Sequence, residues 1–195
     1  MTRLPFVNTE QPSPELGAVI DGLRQVAGAD FKVPNLYRII GHSPQMLKGW
    51  IDFAWPLRLN ATTERSLREL LILRGAQICE ARYEWAHHVP MAFDAGVSRE
   101  QVAALHRWRE AGCFDARQRA ALQVAEEVSQ GPGASAEAID ALKQAGFSEA
   151  QVVELVLTAS FYVCVARFLA SMAMPLEAGY ERYLDGGQCR LPAGI

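Results

Sequence analysis

The residues able to do chemistry are concentrated in one stretch of the chain. Between Glu69 and His88 lie two of the four histidines, His87 and His88, preceded closely by Glu80, Tyr83, Glu84 and Trp85. On a helix, Glu80, Glu84 and His88 recur every four residues and share a face, while Tyr83 and His87 form a second such pair on the neighbouring face. A carboxylate favours the charged form of a neighbouring imidazole and burial opposes it, so such a pair can exchange protons near neutral pH. Spacing alone does not say which effect wins. Each member also has a structural reading: Glu80 as a solvated glutamate, Tyr83 and Trp85 as core aromatics, His87 and His88 as a helix-end pair before Pro90. Glu69, an acid inside the apolar run LRELLI, needs a partner.

Other chemistries find less support. Glu84 and His87 fit one Glu-x-x-His unit of a helical di-iron site, but no second unit and no HEXXH occurs, so no metal is expected. Glycine patterns for nucleotide binding and the GXSXG hydrolase elbow are also missing. The four cysteines, Cys79, Cys113, Cys164 and Cys189, form no CXXC or zinc-ribbon spacing. Cys79 stands one turn before Tyr83 and beside Glu80, where nearby carboxylates disfavour its thiolate.

The elements that must position these groups read as helices throughout. The chain has 195 residues, half of them hydrophobic, is rich in alanine and shows almost no β-branched alternation, which predicts an all-α single domain over 1–195. Residues 1–40 read as an N-terminal extension packing on it. Helices are expected over Pro14–Ala27, over Pro34–Ile40, and from Ser43 with Pro44 at its first position, the last bent or ended by Pro56. The run from Arg65 to Gly96 is one long helix or two that meet near Gly75–Glu80. Further starts are marked by Ser98 with Gln101, Asp115 with Gln118, Ser135, and Ser148 with Gln151; the Ser98 helix should reach about Glu110.

The last helix, to about Met174, is the most apolar segment, but Glu154 and Arg167 interrupt it, leaving too short an uncharged run for a bilayer crossing. It reads as a central helix or part of a subunit interface. A net charge of −3 gives no general attraction for nucleic acid or anionic lipid, and the N-terminal residues lack the apolar core of a signal, so the cytoplasm is the expected location.

The segment LRELLILRGAQICEARYEWAHHVPMAFDAGVSREQVAAL resembles the carboxymuconolactone decarboxylase-like family, which shares its helical bundle with the AhpD alkylhydroperoxidases. The resemblance is carried by the glutamate of RELLIL, by Tyr83-Glu84-Trp85, by His88 four residues beyond Glu84, and by the AFDAGVS turn. Redox members have a glutamate, a CXXC and a histidine here, and those positions fall on Glu69, Ala81, Glu84 and His88. Both thiol positions are filled by other residues, which removes dithiol peroxidase chemistry.

The resemblance implies instead an AhpD-like bundle with a cofactor-free acid/base site. The implied reaction is loss of carboxylate from a small unsaturated lactone or organic acid. His88 is then the proton-transfer residue, Glu84 orients or tunes it, and Glu69 supports. Substrate contacts fall to Arg74, Arg82, Tyr83, Trp85 and His87. The family also implies a homotrimer or homohexamer. The alternatives are a peroxidase relative lacking the dithiol and a non-catalytic oligomeric interaction protein.

Overall fold

A computed structural model describes residues 2–195. Helices start where short polar side chains can accept the free N–H groups of a first turn: Ser13, Ser98, Asp115, Ser135 and Ser148 each cap their own helix. At Ser98, Asp115 and Ser148 the glutamine three residues on returns a bond to the cap, completing the expected capping boxes.

The order is α1 (Pro14–Ala27), α2 (Asn35–Ile40), α3 (Pro44–Leu59), α4 (Arg65–Ile78), α5 (Arg82–Asp94), α6 (Arg99–Ala104), α7 (Ala116–Gln130), α8 (Ala136–Gln144) and α9 (Glu149–Met172). No strand occurs among the described residues, only an isolated bridge between Asp185 and Gln188.

Of the two outcomes expected at Pro56, a bend or an end, the helix does not end there but runs on to Leu59; the proline withholds an N–H from Asp52 on an exposed face, where water can replace it. One boundary differs from expectation. The Ser98 helix stops at Ala104 and passes into a 3-10 turn, Leu105–Arg107, short of Glu110.

Helix α4 is the axis of the bundle and packs against α5, α7 and α9. Nine of its fourteen residues are buried, including the charged Arg68 and Glu69. Apolar burial around Leu70, Leu73, Trp85, Val89 and Leu122 locks α4 to α5 and α7, and Leu71, Val124 and Leu155 continue the core toward α9. The α1–α2 segment packs on α3 through Leu16, Ile20, Tyr37, Ile40 and Leu47, and α3 reaches α9 through Trp50 against Phe161 and Phe168.

By length and composition α9 could cross a membrane, yet it packs against α4, α7 and α8 with Leu155, Ala159, Tyr162, Ala166 and Leu169 buried. One face of it is thus part of the core of the bundle, while Val153 and Leu157 on it are exposed.

Candidate functional site

The turn between α4 and α5 decides which side chains meet. Helix α4 closes with Glu80 in the left-handed conformation (φ 51°), while the Ala81 N–H bonds the Ala76 carbonyl at 2.9 Å and the Cys79 N–H bonds that of Gly75. This is a Schellman-type close made without the usual glycine, at a cost of about 1 kcal/mol. It folds α5 back along α4. Glu80 therefore stands in the turn, exposed, and does not share a helix with Glu84 and His88 as their spacing had implied.

Across the α4–α5 contact, His88 Nδ1 lies 2.7 Å from Glu69 Oε2, both side chains being buried. Glu69 also meets Arg65 Nε at 3.5 Å. The partner of His88 is thus Glu69 on the adjacent helix, whereas the sequence had offered Glu84 on its own. Burial works to raise the Glu69 pKa, but His88, Arg65 and Arg58 outweigh it and hold the carboxylate below its ordinary value. Burial also dominates at His88 and lowers its pKa, with Glu69 opposing. At neutral pH the pair is carboxylate and neutral imidazole. An ionised carboxylate can only accept, so Nδ1 carries the proton and Nε2 is left with a lone pair. The edge of the His88 ring meets Tyr162 at 4.9 Å and 90°.

Glu84, one turn before His88, is 2% exposed, and neither carboxyl oxygen has a hydrogen-bond partner among the described residues. Burial raises its pKa well above the ordinary carboxylate value and so favours the neutral acid. Glu84 and His88 both line a cavity of about 100 Å³, walled by Tyr37, Trp50, Phe161 and Tyr162. A buried acid and a buried histidine thus border one small, mainly apolar space.

The remaining candidates separate. Tyr83 and His87 line the same cavity, and both are fixed by Glu177: the Tyr83 hydroxyl donates to Oε1 at 2.7 Å and His87 Nε2 lies 2.7 Å from Oε2. The Asn35 N–H also donates to Glu177, at 2.8 Å. Burial opposes ionisation of Glu177, yet these bonds bring its pKa down to about 2. His87 is sandwiched between Tyr83 and Tyr180.

Trp85 does not face the cavity; it is fully buried and its indole N–H donates to the Tyr183 carbonyl at 2.8 Å. Arg74 is paired with Glu126 at 2.6 Å, and Arg74 and Arg82 line a different cavity with His106 and Arg190. The cations beside the Glu69–His88 pair are Arg58 and Arg65 instead.

Sequence reasoning missed Arg58, Tyr162 and Glu177. A tyrosine inside the apolar α9 was a usable signal for Tyr162, but nothing local marks Glu177, which acts across the chain. Burial raises the Cys79 thiol, and takes that of Cys189 up to about 12. All four cysteines are free. Among the described residues, no three His, Cys, Asp or Glu side chains converge in a metal-binding group.

The all-helical bundle is the arrangement to which the fold comparisons also point. Residues 44–127, from α3 through most of α7, match the model of the carboxymuconolactone decarboxylase family. Over those residues the chain is similar to the carboxymuconolactone decarboxylase family, and its fold is similar to that of AhpD-like proteins. No curated protein matches its sequence.

Among solved structures, an uncharacterised peroxidase-related protein with an alkylhydroperoxidase AhpD core, from Ralstonia eutropha JMP134, superposes with a TM-score of 0.76 at 18% identity, over 92% of this chain and 94% of the other. A variant of the debrominase Bmp8 in complex with 2,3,4-tribromopyrrole gives 0.77 at 21% identity, over 93% and 95%. A peroxidase-related protein from Silicibacter sp. TM1040 gives 0.75 at 19% identity, over 91% and 92%. At these identities the likeness is one of fold.

Proposed function

We propose that the protein is a carboxy-lyase-like enzyme acting on a small unsaturated lactone or organic acid by general acid/base chemistry. One observation carries the reading: Glu84, whose buried carboxyl has no partner, and His88, held by the Glu69 carboxylate, line the same small cavity. A buried acid without a partner costs stability, so its retention asks for a ligand that uses it.

In the proposed reaction the electron pair of the C–CO2⁻ bond passes into the conjugated ring or chain and CO2 leaves. The resulting dienolate takes the Glu84 proton onto carbon, and the Glu84 carboxylate regains a proton from solvent through His88. Glu69 is a positioning residue that fixes the His88 tautomer. Tyr83 and His87 shape the cavity wall, and the neutral Tyr162 hydroxyl is suited to donate toward a developing oxyanion.

Sulfur redox chemistry is disfavoured because Ala81 and Glu84 occupy the two thiol positions. The small planar ligand named for Bmp8 is of a size that supports a compact unsaturated substrate. The enzyme is proposed to act in the cytoplasm as a homotrimer or homohexamer, which would cover the exposed Met46, Phe53 and Leu157 of α3 and α9.

The test is incubation with γ-carboxylated butenolides in D2O, following CO2 release and carbon-bound deuterium. One solvent deuteron per CO2, with kcat lowered by about 100-fold or more in Glu84→Gln and His88→Gln, is the expected result. Turnover unchanged in both variants removes the assignment.

A further inference from the structure

A second cavity, of about 250 Å³, lies on the other side of the Glu69–His88 pair. Its walls are contributed by α1, α3, α4 and α9 and by the α1–α2 connection. It shares Arg58 and Tyr162 with the cavity that holds His88 and Glu84, so these two side chains partition one space from the other. The volume is just below the range of about 300–1,000 Å³ usual for drug-sized ligands, which selects a smaller one.

Its charge is one-sided. Three arginines, Arg58, Arg65 and Arg68, face a single acid, Glu69, and Glu69 is already engaged by His88. Arg68 is buried and engaged elsewhere: it donates to the carbonyl and hydroxyl of Thr63 and to the Arg58 carbonyl, so it fixes the end of α3. Arg65 has only the long 3.5 Å approach to Glu69. Arg58 has no carboxylate partner among the described residues, its one polar contact being Met91 Sδ at 3.4 Å. Two guanidinium groups therefore remain available to an anion. The lining also includes Phe31 and Trp55, packed edge-on at 6.5 Å, the buried Ile72 and the exposed Val26 and Leu59.

We infer that this cavity is a binding site for a small organic acid with a planar apolar body, its carboxylate held by Arg58 and Arg65 and its ring by Phe31 and Trp55. Bidentate arginine–carboxylate pairing supplies the selection for an anion, and the aromatic walls select against inorganic anions. The site deepens the proposed reaction by giving its acid substrate a place of capture beside the Glu69–His88 pair, and rests on that reading only for this role. The binding itself does not depend on it.

Calorimetric titration of the full chain with benzoate, benzyl alcohol and inorganic phosphate tests the inference. Saturable benzoate binding, at least about tenfold tighter than that of benzyl alcohol and not displaced by equimolar phosphate, is expected. Arg58→Gln should weaken benzoate by about tenfold and leave benzyl alcohol unchanged, and Arg58→Lys should recover part of the loss. Equal affinity for benzoate and the alcohol, displacement by phosphate, or an Arg58→Gln variant that binds benzoate normally overturns the site. If Arg58→Gln fails to fold, the benzoate–alcohol comparison on the unaltered chain still decides. Decarboxylation absent with benzoate selectivity intact counts against the proposed reaction alone; the reverse result counts against this site alone.

Discussion

His88 Nδ1 and Glu69 Oε2 are held 2.7 Å apart from the middles of two helices, α5 and α4, that pack along each other. Both ends of the bond are set by helix packing, and the imidazole is held between the Glu69 carboxylate and the Tyr162 ring. The proton-carrying Nδ1 is committed, and Nε2 is what the cavity receives.

Glu69→Gln should therefore act on His88. The carboxylate opposes the burial that lowers the histidine pKa, so its removal lowers that pKa further. The acid limb of kcat/KM should move to lower pH, and the His88 ring resonances in an NMR titration should move with it. A profile that stays in place would mean that Glu69 only fills space. The folded-state pKa of His88 lies below the 6.5 of a free histidine, so the unfolded chain takes up a proton that the native state refuses. Stability from this group is present above about 6.5 and lost as pH falls below it; His88→Gln should flatten that slope.

Glu84 gives the opposite sign. Its pKa is raised by burial, so above about 4.5 the unfolded chain ionises while the folded one stays protonated, and stability falls as pH rises. Glu84→Leu should stabilise the fold by about 1–3 kcal/mol, more at pH 8 than at pH 4, since it removes a buried group without partners. The same variant should lose turnover. Denaturant melts at the two pH values give the measurement, and a destabilised variant would show that the carboxyl has a structural partner.

Much of this was legible in the sequence. Helix starts follow from Ser98 with Gln101, Asp115 with Gln118 and Ser148 with Gln151, because the capping geometry is local. The chemical window was found by residue type: Glu69 meets His88, and Glu84 and His88 line one cavity. What failed was longer in range. Spacing placed Glu80 on the face of Glu84, but a left-handed turn at Glu80 ends one helix and begins another. Spacing also paired His88 with Glu84, since i,i+4 neighbours are visible in one dimension and a helix–helix contact is not. For the same reason Arg74 and Arg82 were taken for substrate contacts, whereas the cations near His88 come from α3 and the start of α4.

Arg74 should accordingly behave as a structural residue. Its guanidinium gives Glu126 two hydrogen bonds, at 2.6 and 3.1 Å, and Trp108 and Arg109 add others. Burial opposes the ionisation of Glu126, but the bonds from Trp108, Arg74 and Arg109 bring its pKa to about 2. Arg74→Met should cost about 2–4 kcal/mol by leaving the carboxylate short of partners. Steady-state kinetics should show KM for an acid substrate unmoved; a rise of tenfold or more would return Arg74 to the binding role.

Glu177 is the tie between the two ends of the chain. Its carboxylate accepts from the Asn35 N–H at the start of α2, from the Tyr83 hydroxyl and from His87, so it fastens the N-terminal segment over the cavity that α5 lines. Replacement by glutamine keeps the shape but removes the charge and turns one acceptor oxygen into a donor, so the three bonds cannot all persist. A loss of about 2–3 kcal/mol is expected, with faster amide exchange at Asn35 and Leu36 while α4 and α7 stay protected. Because the Glu177 pKa is depressed to about 2, its contribution is present above about 4.5 and fades as pH falls toward 2. Acid unfolding of the unaltered chain should therefore be steeper than that of Glu177→Gln across this window. Hydrogen exchange resolved by segment gives the direct reading: protection of Asn35 and Leu36 left intact in the variant would mean that α2 is held by its apolar contacts to α3 and not by the carboxylate.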